Sequence, residues 1–150
     1  MELRPVRLSD AEAGVLLAGL AGEYEIRYGP NDELTTTDDA EFEPPEGLFL
    51  VLTGGEDGGT VVAGGGFRRL DLDTCEVKRM WTHPDHRRRG HGTTVLRGLE
   101  GAARAAGYAT LRLETGPRQP EAEALYTSTG YRRIPVYGRY PTALAFELPL

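Results

Sequence analysis

Apolar residues recur along this chain in two periods, and the switches between them mark the elements. Glu2 to Leu8 alternates as a first strand would. Ser9-Asp10-Ala11-Glu12 then has the form of a capping box, Ser9 bonding an early amide while Glu12 reaches back, which predicts a helix from Ser9. Ala13, Leu16, Leu17, Leu20 and Tyr24 continue it at helical spacing, and Tyr28-Gly29-Pro30 ends it. Leu48 to Leu52 is a short continuous apolar run, the pattern of a buried strand, and Gly54 to Gly59 is rich in turn formers. Strands over Thr60 to Leu70 and Thr74 to Thr82 follow, separated by the Asp71-Leu72-Asp73 turn, so an antiparallel meander is expected.

The period lengthens at Gly90. Val95, Leu96, Leu99, Ala102, Ala103 and Ala106 share one helical face, with Gly107 as the stop. Ala109, Leu111 and Leu113 alternate against Thr110, Arg112 and Glu114 as a strand, Pro120 to Thr129 reads as a short helix before Gly130, and Tyr131 to Val136 and Ala143 to Leu148 read as closing strands. The resulting order is a mixed α/β plan with a largely antiparallel central sheet flanked by helices. It is not the order of a dinucleotide-binding fold. No repeat or low-complexity tract divides residues 1–150, and one domain is expected over that span.

Charge refines this picture. The formal net charge is -6, but the first fifty residues hold 12 acids against 3 bases and the remainder 11 against 14. Such asymmetry suits a later part that binds an anionic ligand and an early part that meets a cationic one, although solvated surface charge explains it equally well. A lone cysteine, Cys75, has no intrachain disulfide partner, and no apolar run reaches membrane-spanning length. A cytoplasmic protein with no membrane partner is expected. Nucleic-acid binding through His86 to Arg89 is disfavoured by the acidic total and by a basic cluster without interleaved aromatics.

The segment Arg87-Arg88-Arg89-Gly90-His91-Gly92 stands between a strand and the longest regular helix pattern. Glycines at a helix start let backbone approach a ligand, and the unpaired amides there carry the positive end of the helix dipole. Adjacent arginines add charge-assisted bonds, as phosphate groups require. A basic loop with a glycine-rich helix entry is the alternative for this segment alone. His83, His86 and His91 do not have the zinc-helix spacing and no thiolate lies near, so no metal is expected.

In these residues the chain resembles the GNAT superfamily of N-acetyltransferases. That family's signature is Arg or Gln, two residues, Gly, one residue, then Gly or Ala, matched by Arg87, Gly90 and Gly92; Pro84 and Thr82 match positions ahead of it. The family's Asn, Ala and Leu-Tyr followed by Gly-Phe is matched by Gln119, Ala122, Leu125-Tyr126 and Gly130-Tyr131, with Gln in place of Asn and Tyr in place of Phe. The second change is expected to cost little, both rings filling an apolar site. Glu76 to Trp81, Leu113 to Gly116 and Tyr137 to Tyr140 look like a bacterial subgroup.

The resemblance implies acetyl-CoA as acyl donor, a primary amine of a small molecule or peptide as acceptor, and direct transfer in a ternary complex. It implies that the backbone of Met80, Trp81 and Thr82 pairs with the pantetheine arm and that amides of Arg88, Arg89, Gly90, His91, Gly92 and Thr93 hold the pyrophosphate, with Arg87, Gln119, Ala122 and Tyr126 completing the cofactor contacts. Tyr126 is then the acid that protonates the departing thiolate. Glu76 is the first candidate base and Glu114 the second; Glu76 pairing with a basic neighbour across the sheet is the competing role. On a regular strand Glu76, Lys78 and Met80 would share one face and Val77, Arg79 and Trp81 the other. A noncatalytic acyl-CoA sensor on the same scaffold remains the rival function, and the sequence leaves the acceptor and the oligomeric state, including a homodimer, open.

Overall fold

A computed structural model describes residues 1–35 and 37–150. Its elements are β1 (Glu2–Pro5), α1 (Ala11–Tyr28), β2 (Leu48–Gly54), β3 (Thr60–Arg69), β4 (Thr74–Thr82), α2 (His91–Ala105), β5 (Thr110–Thr115), α3 (Pro120–Ser128), β6 (Arg132–Ile134) and β7 (Leu144–Pro149). The strands form one seven-stranded sheet in the order β1-β2-β3-β4-β5-β7-β6. Every neighbouring pair is antiparallel except β4 with β5. The α/β plan and the meander read from the sequence are therefore the observed ones.

The two faces of the sheet bury separate cores. On one, Val95, Leu96, Leu99 and Ala103 of α2 are fully buried against Val62, Phe67, Leu111 and Phe146, and Tyr126 and Tyr131 join the same cluster. Burial of each large apolar side chain contributes about 1.5–3 kcal/mol, which fixes α2, and the loop that begins it, against the sheet. On the other face Ala13, Leu16 and Leu20 of α1 pack with Phe42, Phe49, Val51 and Trp81.

Three local expectations need correction. The capping box at Ser9 does not form: α1 starts at Ala11, Asp10 Oδ2 accepts a bond from the Arg7 amide at 3.0 Å, and Glu12 is drawn to Arg4. A capping box exists instead at Asp38 and Glu41, at the start of a short 3-10 turn over Asp39–Phe42. The first and sixth strands are shorter than the alternation suggested, β1 ending at Pro5 and β6 at Ile134.

The third correction concerns β4. Arg79 has a left-handed φ of 62°, and the β3 register jumps from Gly64 opposite Trp81 to Gly66 opposite Lys78. An extra residue thus sits in β4 as a bulge, which bends the strand and resets its alternation. Val77 and Met80 consequently pack toward the α2 face, while Trp81 joins the α1 face. The bulge is held in place: Arg79 is buried, donates to Asp39 at 3.0 Å, to the Leu34 carbonyl at 3.0 Å and to the Thr37 carbonyl at 3.2 Å, and lies over the Phe42 ring.

Candidate active site

The bulge and a parting of strands coincide. β4 and β5 pair only at Thr74 with Thr110, Cys75 with Leu111 and Glu76 with Arg112. Beyond that point β5 stays with β7 as far as Thr115, and β4 stays with β3 as far as Thr82. The main chain of Val77 to Thr82 thus lacks a strand on the β5 side, and a fork opens there.

α2 begins beside one arm of the fork. Gly90 caps it with φ 80°, a left-handed conformation that glycine adopts without steric penalty, and Arg88 is also left-handed at φ 64°. The amides of His91, Gly92 and Thr93 precede the first helical bond, from Thr94 to the Gly90 carbonyl at 3.0 Å, and so point forward unpaired by the helix. Arg88 and Arg89 are exposed and have no ion pair among the described residues. Arg87 differs: its Nε donates to the Thr82 carbonyl at 3.1 Å and its guanidinium pairs with Glu23, so it braces the end of β4 against α1. His91 is buried, its Nε2 has no hydrogen-bond partner among the described residues, and burial, with His86 and Arg89 nearby, holds its pKa below the usual value.

Gln119, at the start of α3, organises the turn out of β5. Its Oε1 accepts from the Gly116 amide at 3.0 Å, from the Tyr28 hydroxyl at 3.2 Å and from Thr115 Oγ1 at 3.4 Å. Ala122 and Leu125 pack against the core from the same helix. A Cβ at Gly92 would stand 3.2 Å from Leu125, so the beginnings of α2 and the body of α3 flank one space.

A cavity of about 440 Å³ occupies the fork. Glu76 to Arg79 of β4, Glu114 to Pro117 after the parting, Tyr24 and Tyr28 of α1, Glu33 and Leu34, and the Gly138 to Tyr140 turn all line it. Two segments latch over it, Asp32 with Arg139 at 2.6 Å and Glu33 with the Tyr140 hydroxyl.

The two candidate bases lie in this cavity in unlike surroundings. Glu76 is buried and fully engaged: Arg68 Nε, its cross-strand partner, donates at 3.1 Å, the Tyr137 hydroxyl donates at 2.6 Å, and Lys78 Nζ is 3.7 Å away. The cross-strand pairing with a basic neighbour expected of Glu76 is thus present, with Arg68 as the partner. Glu114 is half-buried, and its Oε2 has no hydrogen-bond partner among the described residues. Burial raises its pKa, Glu76 and Glu33 add to the rise, and the Gly138 amide and Lys78 oppose it. A Cβ at Gly138 would come within 1.9 Å of Glu114 Oε1, so a side chain there would displace the Glu114 carboxylate from this position.

Tyr126 is not among the cavity walls. It is buried beside Tyr131 and Phe146, with ring centroids 5.8 Å from each, and burial alone raises its pKa. Tyr24 does line the cavity, and its pKa is raised by burial, then by Glu33 and Tyr126. Tyr131, expected only to fill an apolar site, also donates its hydroxyl to the buried Glu100 at 2.8 Å. Sequence reasoning gave no site role to Arg68, or to Tyr137 and Gly138 of the segment quoted for the subgroup resemblance. Arg68 was legible in principle as an arginine one hairpin away from Glu76; Tyr137 and Gly138 lie in a loop with no periodic signal. Among the described residues no group of three His, Cys, Asp or Glu side chains is placed to hold a metal, and no helix is long and apolar enough to cross a membrane.

A mixed sheet split beside an amide-rich helix start is the scaffold of the acyl-CoA transferases whose motifs the sequence matched. The chain belongs to the acetyltransferase (GNAT) family, whose model matches residues 18–131. It is 38% identical over 113 residues, 71% of this chain and 70% of the relative, to an IAA acetyltransferase of Azospirillum brasilense. Among solved structures it resembles a Klebsiella pneumoniae protein assigned to the acyl-CoA N-acyltransferases, at TM-score 0.80 and 29% identity over 99% of this chain and 97% of that one. The fold is shared with the paia N-acetyltransferase of Thermoplasma acidophilum in complex with coenzyme A, at TM-score 0.71 and 16% identity, covering 100% of both chains.

Proposed function

We propose that this protein transfers the acetyl group of acetyl-CoA to a primary amine of a small molecule or peptide, by direct attack in a ternary complex, with Glu114 as the base. The observation that carries the reading is the Glu114 carboxyl in the fork, whose Oε2 has no hydrogen-bond partner among the described residues and whose pKa is raised by burial. The surroundings fit the donor. Unpaired main chain along Val77 to Thr82 suits an amide-bearing arm in the manner of strand addition. The free amides of His91 to Thr93, with Arg88 and Arg89 unpaired beside them, suit a pyrophosphate. Bound there, acetyl-CoA supplies an acetyl group activated as a thioester.

Glu114 takes a proton from the incoming ammonium, leaving a neutral nucleophile in the fork. The N–C bond forms as the C–S bond breaks. Main-chain donors on the open side of β4 meet the charge that develops on the carbonyl oxygen. Tyr126, whose burial favours the protonated form and which sits in the α2-side core outside the cavity walls, is assigned the sulfur's proton from the α2–α3 side of the fork, and the second proton lost by the amine restores the balance. Arg87, Gln119 and Ala122 support the donor indirectly, by holding the end of β4 and the start of α3.

An acceptor panel read by release of free thiol from acetyl-CoA tests the proposal. Turnover on amines is expected, with Glu114→Gln slowed by roughly 10²- to 10⁴-fold. Tight acetyl-CoA binding with no turnover on any amine would point instead to the sensor.

A further inference from the structure

The chain holds one lysine against 16 arginines, and that lysine, Lys78, lies in the cavity. Its nearest carboxylates are Glu76 at 3.7 Å and Glu33 at 4.0 Å, beyond hydrogen-bond distance. Lys78 makes no hydrogen bond to a described residue although its side chain is only 23% exposed. Both carboxylates pair loosely with Lys78 while spending their hydrogen bonds elsewhere, Glu76 on Arg68 and Tyr137 and Glu33 on Tyr140. Arg68 and Arg79 in the same walls are tied to Glu41 and Asp39, and Arg139 to Asp32.

Two groups in the cavity are thus left with open bonding capacity, and they have opposite charge. Register places them together: Glu76 pairs with Arg112 at the last rung of the parallel pair, so Lys78 and Glu114 are the next same-face residues along the two arms. Lys78 is close enough to Glu114 to lower its pKa. Lys78 is held by loose ion pairs only and keeps its donors free for a ligand, while Glu114 Oε2 keeps an acceptor free. An ammonium suits this, because an arginine fork would lock bidentately onto a neighbouring carboxylate, whereas three rotatable donors on a flexible stem stay available.

Resting on the base role of Glu114, we infer that the acceptor is an amino carboxylate, its amine directed to Glu114 and its carboxylate held by Lys78 on the facing arm of the fork. Tyr24, Tyr28 and Leu34 give the rest of such a molecule a largely apolar wall. Lys78 is then a specificity residue and takes no proton in the reaction.

The test compares free amino acids with their decarboxylated amines, reading kcat/KM from thiol release for each matched pair. The wild type should favour the carboxylate-bearing partner by about tenfold to a hundredfold, the scale of one charge-assisted bond. Lys78→Met should bring that ratio close to unity, and Lys78→Glu should invert it; thermal melts show whether each variant folds. Turnover on amines with no preference for the carboxylate, or a preference that survives Lys78→Met, overturns the inference and leaves amine transfer standing. A Glu114→Gln variant with wild-type turnover removes the base reading, while the pair ratio still reports on Lys78. No turnover on any amine sinks both.

Discussion

A carboxylate that must draw a proton from an ammonium works best when it is neither ion-paired nor freely solvated, since its pKa must approach that of the medium in which it acts. Glu76 is held by a guanidinium and a phenol, and Glu114 by a single amide in a half-dry cavity. The sequence favoured Glu76 because charges cluster at Glu76, Lys78 and Arg79, and it could not show that Arg68 is the register partner or that a bulge turns Arg79 away. Glu114, the second candidate, showed in the sequence only as a polar position of an alternating strand, with nothing to rank it above Glu76. Its raised pKa has a measurable consequence for stability. A carboxyl whose folded pKa lies above its unfolded one, about 4.3, has the folded state binding the extra proton, so stability falls as pH rises through the window between the two. Glu114→Gln removes that loss. Its melting temperature should therefore match wild type near pH 4 and exceed it at pH 7 and above, as scanning calorimetry would show; a lower melting temperature at neutral pH would mean that the charged form is stabilised in the fold. Tyr126 was legible only through its motif. Tyr126→Phe keeps the ring against Tyr131 and Phe146, so turnover should fall toward the same 10²- to 10⁴-fold scale with donor affinity nearly constant. Unchanged turnover would leave Tyr126 a packing residue and make Tyr24, the tyrosine on the cavity side, the acid to test next.

At the level of elements, the helix that matters most was the easiest to read. Val95, Leu96, Leu99 and Ala103 keep helical spacing, and all are fully buried on one face. The start of α1 was misread because two carboxylates competed for partners: Asp10 turned to the Arg7 amide and Glu12 to Arg4, and neither preference is visible in a local capping pattern. The β4 bulge was illegible for a different reason. Its anchor, Asp39 with the Leu34 and Thr37 carbonyls, comes from a segment some forty residues earlier that carries no periodicity. The opening of α2 gives a direct test of the element-level argument. Gly92 lies in the run of unpaired amides at the helix start, and a carboxylate introduced there would meet a phosphate where those amides should. Gly92→Glu should abolish acetyl-CoA binding by titration calorimetry while far-ultraviolet dichroism stays that of the wild type. Wild-type affinity in the folded variant would move the phosphate site elsewhere.

Across the whole molecule, the acidic first fifty residues turn out to be internal partners as much as a steering field. Asp32 pairs with Arg139, Asp39 with Arg79, Glu41 with Arg68 and Glu46 with Arg69, so the front of the chain is tied ion by ion to the sheet and the loop that follow it. Three of those ties hold arginines that line the cavity, Arg68, Arg79 and Arg139, and the cavity's contents bear on how the acyl group travels. A covalent relay would need a nucleophile of the protein's own inside the fork. The one thiol, Cys75, is fully buried in the α2-side core, and burial pushes its pKa up to about 12, so almost no thiolate exists near neutral pH. A buried, protonated Cys75 is a poor carrier, which favours the proposed direct transfer, in which both substrates are bound before the bond forms. Initial rates measured while both substrates are varied should then give intersecting reciprocal lines. Cys75→Ala should retain wild-type turnover, provided that a melt shows the small core gap is tolerated. Parallel lines, or an acetyl group trapped on the protein after incubation with acetyl-CoA alone and mapped to Cys75, would replace direct transfer with a two-step route.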